Sequence, residues 1–145
     1  MSSPFALALP MTAPMPSALA APFLVFLGGG IGAALRYGFN LSAARLLGTG
    51  FPWGTFGVNV LGSLVMGLFA GWLAFSAAHA WSINARLFCM TGILGGFTTF
   101  SAFSLDTVYL WERGELAAAV TYVLGSCVLS IAALGLGLAI VRQFS

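Results

Sequence analysis

The feature that most constrains this chain is how rarely a charged side chain interrupts it. Five arginines and three acidic residues are the only formal charges in 145 residues, so 6% of the chain is charged and 60% is hydrophobic. A soluble domain carries about a quarter charged residues, because its surface must be solvated. With a mean hydropathy of +1.03, this chain is therefore predicted to fold in lipid.

The apolar residues form four runs that are each long enough to cross a membrane. A span needs about 20 mostly apolar residues, so four spans use nearly the whole chain and leave no room for a soluble catalytic domain. We predict an all-α integral membrane protein, with residues 21–145 as one four-helix channel domain. Residues 1–20, rich in proline and without charge, are predicted to be a disordered leader. The expected spans are residues 23–46, 53–75, 84–110 and 116–141.

Composition and spacing also exclude several functions. The net charge of +2 is too sparse for a nucleic-acid-binding face. Cys89 and Cys127 lie within apolar spans, where small buried side chains are expected rather than a disulfide or a metal site. His79 stands alone in the predicted loop between spans 2 and 3, and no nucleophile–base set accompanies it. We therefore do not expect an enzyme.

The arginines near the span ends are evenly divided between the two sides of the membrane. Arg86 and Arg142 fall on the side of the N-terminus, whereas Arg45 and Arg113 fall on the opposite side. An excess of basic residues normally fixes the cytoplasmic side. A balance of two against two predicts insertion in both orientations, which would allow an antiparallel (dual-topology) homodimer.

Every span carries polar residues at helical spacing. Such residues are costly in lipid and mark either a hydrogen-bonding pathway or contacts that hold helices together. Serine and threonine can also bond back to their own helix, so both interpretations remain open for the hydroxyls. The amide of Asn59 lies among apolar neighbours and needs partners. The polar sets are Thr55, Asn59 and Ser63; Tyr122, Ser126 and Ser130; Ser101 and Ser104; and Arg36 with Asn40.

These polar groups favour an anion over a cation as the permeant species. Hydroxyls, an amide and the guanidinium of Arg36 are hydrogen-bond donors, whereas no carboxylate is placed centrally in a span. A proton-coupled multidrug exporter, the main alternative among small dual-topology proteins, would need such a carboxylate. Arg36 could equally extend its charge to the interface. A non-transporting helper subunit is a further alternative.

Span 3 contains a segment that predicts a weak helix. Paired glycines followed by β-branched threonines, in the run from Gly92 to Phe100, disfavour a continuous helical ladder. A break would free carbonyl oxygens that could form a hard-cation site between two copies of the chain. A glycine face for close helix packing is the alternative for this segment. In span 1, the outer glycines Gly28 and Gly32 have the small-xxx-small spacing that predicts close helix packing.

Two long motifs resemble one family of membrane proteins. The run from Gly54 to Ser63 (GTFGVNVLGS) and the run from Gly95 to Ser104 (GGFTTFSAFS) are similar to those of the Fluc (CrcB) fluoride channels. The glycine-rich start of span 1 leading to Arg36 also fits. The resemblance covers about residues 24–141, and the two motifs together are highly specific.

The resemblance implies a dual-topology homodimer in the plasma membrane with two antiparallel pores. Such a dimer passes fluoride down its gradient, excludes chloride and holds a structural sodium ion at its centre. Gly95 and Thr98 would bind that sodium ion through their carbonyl oxygens, and Arg36 would lie near the aqueous vestibule. The pore residues implied by the family are Asn59, Phe100, Phe103, Thr55, Ser104, Tyr122 and Ser126.

Two positions depart from the family pattern. Ala102 stands where a threonine is expected in the phenylalanine motif, which puts one hydroxyl contact in doubt. Asp106 stands where the family often has a glutamate. We therefore expect the pore of this chain to differ in detail from that of its relatives.

Overall fold

The computed structural model describes residues 19–75 and 81–144. The predicted leader lies outside the described residues except at its end, where Ala20 already begins the first helix. His79 also lies outside them.

The described residues form helices with short connections, as the sequence predicts. Four helical stretches are long and apolar enough to cross a membrane. Three of them are single helices that match the predicted spans within three residues at each end. These are α1 (Ala20–Leu47), α2 (Trp53–Phe75) and α6 (Leu116–Gln143).

The third span is composite. It begins as α3 (Trp81–Ala85), so Trp81 belongs to a helix rather than to the predicted loop. A π-helix covers Arg86–Leu94 and is followed by one turn of α-helix, α4 (Gly95–Phe97). Thr98 and Thr99 then have extended backbones, and α5 (Phe100–Glu112) follows. The span is therefore interrupted where paired glycines meet two β-branched residues.

Glycines let α1 lie directly against the first half of the third span. Gly28 and Gly32 are buried, and a Cβ added to Gly32 would collide with the carbonyl oxygen of Ile93. A Cβ on Gly96 would likewise collide with the backbone of Gly29. The small-residue spacing of span 1 thus has the packing role that the sequence predicts.

Helices α2 and α6 form the other close pair. A Cβ on Gly67 would collide with the carbonyl oxygen of Leu134, and one on Gly137 would meet the carbonyl oxygen of Leu64. A small apolar core lies where α5 meets α6, around Phe103. Only 11–28% of the residues in the apolar window of each span are buried, so most of the apolar surface faces outward.

The turn after α1 and the turn after α5 lie at the same end of the molecule. One Nη of Arg113 donates a hydrogen bond of 2.9 Å to the carbonyl oxygen of Gly50 and also pairs with Glu115 at 2.9 Å. Gly48 and Gly114 have positive φ angles of 79° and 76°, which glycine adopts without strain. The contact confirms that the two turns share one side of the membrane.

Candidate functional site

The interruption of the third span is held by the side chain of Asn59 on α2. The Asn59 Nδ2 donates to the carbonyl oxygen of Thr99 at 3.0 Å, and its Oδ1 accepts from the Thr99 N–H at 2.8 Å. Both polar groups of the Thr99 backbone are therefore satisfied by one amide, as a break at membrane depth requires. One N–H of the Asn59 amide remains for another acceptor.

These contacts change the bonding of two carbonyl groups. In a continuous helix, the Thr99 N–H would donate to the oxygen of Gly95 and the Ala102 N–H to the oxygen of Thr98. Here the Thr99 N–H bonds Asn59, and the Ala102 N–H bonds the Thr99 hydroxyl at 3.2 Å, capping α5. The break thus removes the helical donor from both carbonyl groups that the family resemblance assigns to sodium.

Arg36 lies beside one of these carbonyl groups. Its Nη1 donates to the oxygen of Thr98 at 3.3 Å, from the middle of α1. The guanidinium is therefore directed at the break and not toward the end of the helix. Arg36 is not among the lining residues of the two grooves described below. The vestibule position that the family resemblance implies for it stays a prediction.

The larger of the two grooves described here, called the central groove, runs along α2, α5 and α6 beside the break. Its volume is about 420 Å³. Four of the seven predicted pore residues line it: Asn59, Phe100, Phe103 and Ser126. The remaining lining residues are Gly62, Ser63, Met66, Thr98, Thr99, Cys127, Ser130, Ile131 and Leu134.

Two hydroxyl groups in the central groove lack a hydrogen-bond partner in the described structure. The Ser126 side chain is 4% exposed and its Oγ is unpaired, and the Oγ of Ser130, one turn further along α6, is also buried and unpaired. A serine in a membrane helix usually satisfies its hydroxyl by bonding back to the helix. These two residues line the groove, and their hydroxyls are left without a partner among the described residues.

Aromatic rings form the end of the central groove that is nearest to α5. The ring centroids of Phe100 and Phe103, three residues apart on α5, lie 5.4 Å apart. Phe103 also packs against Tyr122, with 5.2 Å between centroids. Phe103 and Tyr122 are 8% and 0% exposed, whereas Phe100 is 77% exposed. The pair therefore has one ring in the core and one on the surface of the chain.

A second groove, here called the outer groove, opens beyond Tyr122 at the end of the molecule that carries Arg113. Its volume is about 290 Å³, and Thr55, Asp106 and Asn40 line it. The Tyr122 hydroxyl donates to the Asp106 carboxylate at 3.3 Å. Buried side chains of Phe103 and Tyr122 thus lie between the outer groove and the central groove.

The structure does not bring every predicted pore residue to one place. Thr55 lines the outer groove rather than the central one. Ser104 is exposed, lines neither groove and donates its hydroxyl to the Phe100 carbonyl oxygen at 2.9 Å. Ser63 and Ser130 line the central groove although the predicted site does not include them. Their four-residue spacing from Asn59 and Ser126 is the signal that could identify them.

The chemistry available in the central groove is that of neutral donors. Among the described residues, no group of three or more His, Cys, Asp or Glu side chains could hold a metal ion. An amide, serine hydroxyls and two phenylalanine rings lie among mainly apolar lining residues, and hydrogen-bond donors and ring edges are groups that can stabilise a small anion.

Comparison with known proteins points to the same family as the two sequence motifs. The family model described as "CrcB-like protein, Camphor Resistance (CrcB)" matches residues 23–138. The chain is 58% identical over 124 residues to "Fluoride-specific ion channel FluC 2" of Nitrobacter hamburgensis, covering 84% of this chain and 97% of the relative. It is 59% identical over 122 residues to "Fluoride-specific ion channel FluC" of Rhodopseudomonas palustris strain BisB5, with the same coverage.

A third relative extends the comparison. "Fluoride-specific ion channel FluC" of Paracoccus denitrificans is 56% identical over 118 residues, which are 81% of this chain and 91% of the relative. The region that the family model matches reaches from the first span into the fourth. It contains both motifs that carry the sequence resemblance.

Proposed function

This chain belongs to the CrcB family, and from that premise we propose that it is a fluoride-specific ion channel of the plasma membrane. It is a multi-pass membrane protein and not an enzyme. Fluoride enters a cell as its neutral acid, ionises in the cytoplasm and is trapped there as the anion. A passive pathway therefore suffices to lower the cytoplasmic fluoride concentration.

The observation that carries this proposal is the pair of unpaired hydroxyls in the central groove. Fluoride is small and strongly hydrated, so a pore must replace its water with donors at close range. Ser126 and Ser130 present such donors beside the spare N–H of Asn59. The positive edges of aromatic rings, here Phe100 and Phe103, add favourable contacts for an anion.

A complete pore requires a second copy of the chain. Within one copy the two grooves are separate, and the buried side chains of Phe103 and Tyr122 lie between them. Phe100 projects from the surface next to the central groove, where it can reach an adjacent copy. The balanced arginines at the span ends support insertion in both orientations. We therefore place the pores in an antiparallel homodimer with one pore on each side of its axis.

The break in the third span suits a structural sodium ion at the centre of that dimer. Gly95 is exposed, and both its carbonyl group and that of Thr98 have lost their helical donors. Two such oxygens from each copy would give the hard, neutral ligand set that Na⁺ favours. The Thr98 carbonyl oxygen keeps a second lone pair while it accepts a hydrogen bond from Arg36. A bound cation would supply positive potential that favours anions nearby.

The direct test is fluoride efflux from liposomes that contain the purified protein, followed by an electrode and compared with chloride efflux. We expect rapid fluoride release without chloride release. Liposomes with the same lipid and no protein set the background rate. A folded dimer that releases neither anion would contradict the proposal. Fluoride-independent export of a cationic drug coupled to proton entry would instead favour the exporter, with Asp106 as its carboxylate.

A further inference from the structure

We propose that a cleft between α1 and α2 binds one anionic phospholipid, with an acyl chain in the cleft and the phosphate at Arg45. The inference does not rest on fluoride conduction, because lipid binding is measured directly. The cleft, here called the lipid cleft, has a volume of about 320 Å³. Its lining residues are Phe39, Ser42, Ala43, Leu46, Leu47, Trp53, Phe56 and Gly57.

The side chains that line the lipid cleft suit hydrocarbon. Only Ser42 and Trp53 among them carry a polar side-chain atom. The Ser42 hydroxyl already donates to the carbonyl oxygen of Gly38 in its own helix at 2.9 Å. The indole of a tryptophan is an amphipathic group that suits the boundary between lipid and water. Water or a free ion therefore finds few partners in the cleft, whereas an acyl chain fits its apolar surface.

The shape of the lipid cleft is fixed by packing within the chain. The Trp53 ring, which forms one wall, packs against Phe51 and Phe56 with 4.5 Å and 6.2 Å between centroids. The Phe39 ring lies over Gly57, where an added Cβ would come within 2.6 Å of that ring. The cleft is therefore already formed before a lipid binds, which reduces the cost of ordering on binding.

The lipid cleft and the central groove lie on different faces of α2. Trp53, Phe56 and Gly57 line the cleft, whereas the lining of the central groove begins at Asn59, and no residue lines both. With 3.6 residues per turn, the two faces are about a third of a turn apart. The second copy of the proposed pore lies against the central groove, so that contact does not account for a cover over the lipid cleft.

The lipid cleft runs from the membrane interface into the hydrocarbon. On α1 its lining extends from Phe39 to Leu47, which is about 12 Å along a helix with a rise of 1.5 Å per residue. Trp53 lies at the first position of α2 and is 41% exposed, and tryptophans at span ends lie at the level of the lipid headgroups. A phospholipid has the same order of a polar headgroup followed by an apolar chain.

Arg45 supplies the charge that selects the headgroup. It is exposed in the last turn of α1 and follows Ser42 by three residues, so the two are neighbours on the helix surface. Arg113 at the same end pairs with Glu115, whereas Arg45 has no acidic partner in the part of the chain that the structure describes. Because lipid tails are as apolar as the cleft, the headgroup has to decide which lipid binds, and a cation favours an anionic phosphate.

Native mass spectrometry of the purified dimer tests the inference by counting bound lipids. Phosphatidylglycerol and phosphatidylcholine with identical acyl chains are compared. We expect one retained phosphatidylglycerol per chain and a preference of about fivefold over phosphatidylcholine, the effect of one arginine near an anionic surface. Arg45→Gln should abolish this preference, whereas Arg142→Gln, at the other end of the molecule, should keep it.

A pair of substitutions at one position tests whether the acyl chain lies in the lipid cleft. Ser42→Leu adds an apolar side chain to the lining and should lower the retention of both lipids. Ser42→Ala leaves the cleft open and should retain as much lipid as the original chain. The exposed position of Ser42 makes both variants compatible with folding, which thermal unfolding in detergent checks.

Three results would overturn the inference. Equal retention of the two lipids, or an unchanged preference in Arg45→Gln, would show that Arg45 does not bind the headgroup. Equal retention by Ser42→Leu and Ser42→Ala would place the acyl chain elsewhere. Lipid on the monomer but not on the dimer would show that the second copy covers the cleft. Failure of fluoride efflux would contradict the proposed function and leave these lipid counts valid.

Discussion

Asn59 has a structural task that precedes any contact with an anion. Its amide satisfies both backbone groups of Thr99, so the break in the third span depends on it. A sequence motif identifies Asn59 as a polar residue in a span but does not reveal this partner. The pore donor suggested by the family is thus at most the one N–H that Thr99 leaves free.

We predict that Asn59→Ala destabilises the protein as well as removing fluoride flux. Leaving the two Thr99 backbone groups unsatisfied costs about 1–3 kcal/mol for each buried group. Thermal unfolding in detergent and fluoride efflux measure the two effects. Ser42→Ala serves as the control, because the exposed Ser42 hydroxyl bonds only to its own helix at Gly38. An Asn59→Ala protein with unchanged stability would show that the Asn59 side chain does not stabilise the break in the third span.

Phe100 and Phe103 differ in burial, so their replacement separates conduction from folding. We predict that Phe100→Leu abolishes fluoride flux with little change in the stability of the single chain, since its ring is 77% exposed. Phe103→Ala should cost about 3–5 kcal/mol, as for other buried phenylalanines. Efflux and thermal unfolding of both variants test this, with size-exclusion chromatography to follow the dimer. Normal flux in Phe100→Leu would remove that ring from the pore.

At the scale of elements, glycine decides how close α1 comes to the third span. The contact runs along one face of α1, on which Gly28 and Gly32 meet the π-helix and α4. Gly30 lies on another face of the same helix, and nothing lies within 4 Å of a Cβ added there. The two faces provide a matched pair for mutation.

We predict opposite effects for alanine at these two positions. Gly32→Ala should lower the unfolding temperature, because its methyl group would collide with the Ile93 carbonyl oxygen and separate the helices. Gly30→Ala should leave stability unchanged or raise it by about 0.5–1 kcal/mol, since alanine favours a helix over glycine. Thermal unfolding of both variants under one detergent condition is the measurement. Equal unfolding temperatures for the two variants would contradict the close contact between α1 and the third span.

At the scale of the whole molecule, the outward-facing surface of a single chain must be covered by lipid or by another copy of the chain. Lipid can cover the apolar side chains, but the Gly95 carbonyl group has lost its helical donor and requires a polar partner, whereas that of Thr98 already accepts from Arg36. Sodium between two copies would provide them at Gly95 and Thr98, in keeping with the proposed dimer. A structural ion of this kind couples the stability of the assembly to the cation in the buffer.

We therefore predict that the dimer is less stable when sodium is absent. Replacing sodium chloride with N-methylglucamine chloride at equal ionic strength should lower the unfolding temperature and increase the monomer fraction, because the organic cation is too large for a carbonyl site. Thermal unfolding and size-exclusion chromatography in the two buffers are the measurements, and potassium chloride tests selectivity. Identical behaviour in all three buffers would argue against a structural sodium ion.

The sequence by itself determined the class of the fold and much of the composition of the site. Lipid requires each span to satisfy its own backbone, so four long apolar runs predict four helical spans with ends within a few residues. The same cost makes polar side chains such as those of Asn59 and Ser126 conspicuous within apolar runs, but only the family resemblance assigns them to the pore. Glycine spacing likewise predicts the close contact of α1.

Only the tertiary structure decided which of these polar groups meet. Asn59 and Thr99 are 40 residues apart, and their pairing depends on the rotation and depth of two helices, which local spacing does not encode. The π-helix between Arg86 and Leu94 changes that rotation further and has no signal in the sequence. For the same reason Arg36 lies at the break, and Thr55 and Ser126 lie in separate grooves.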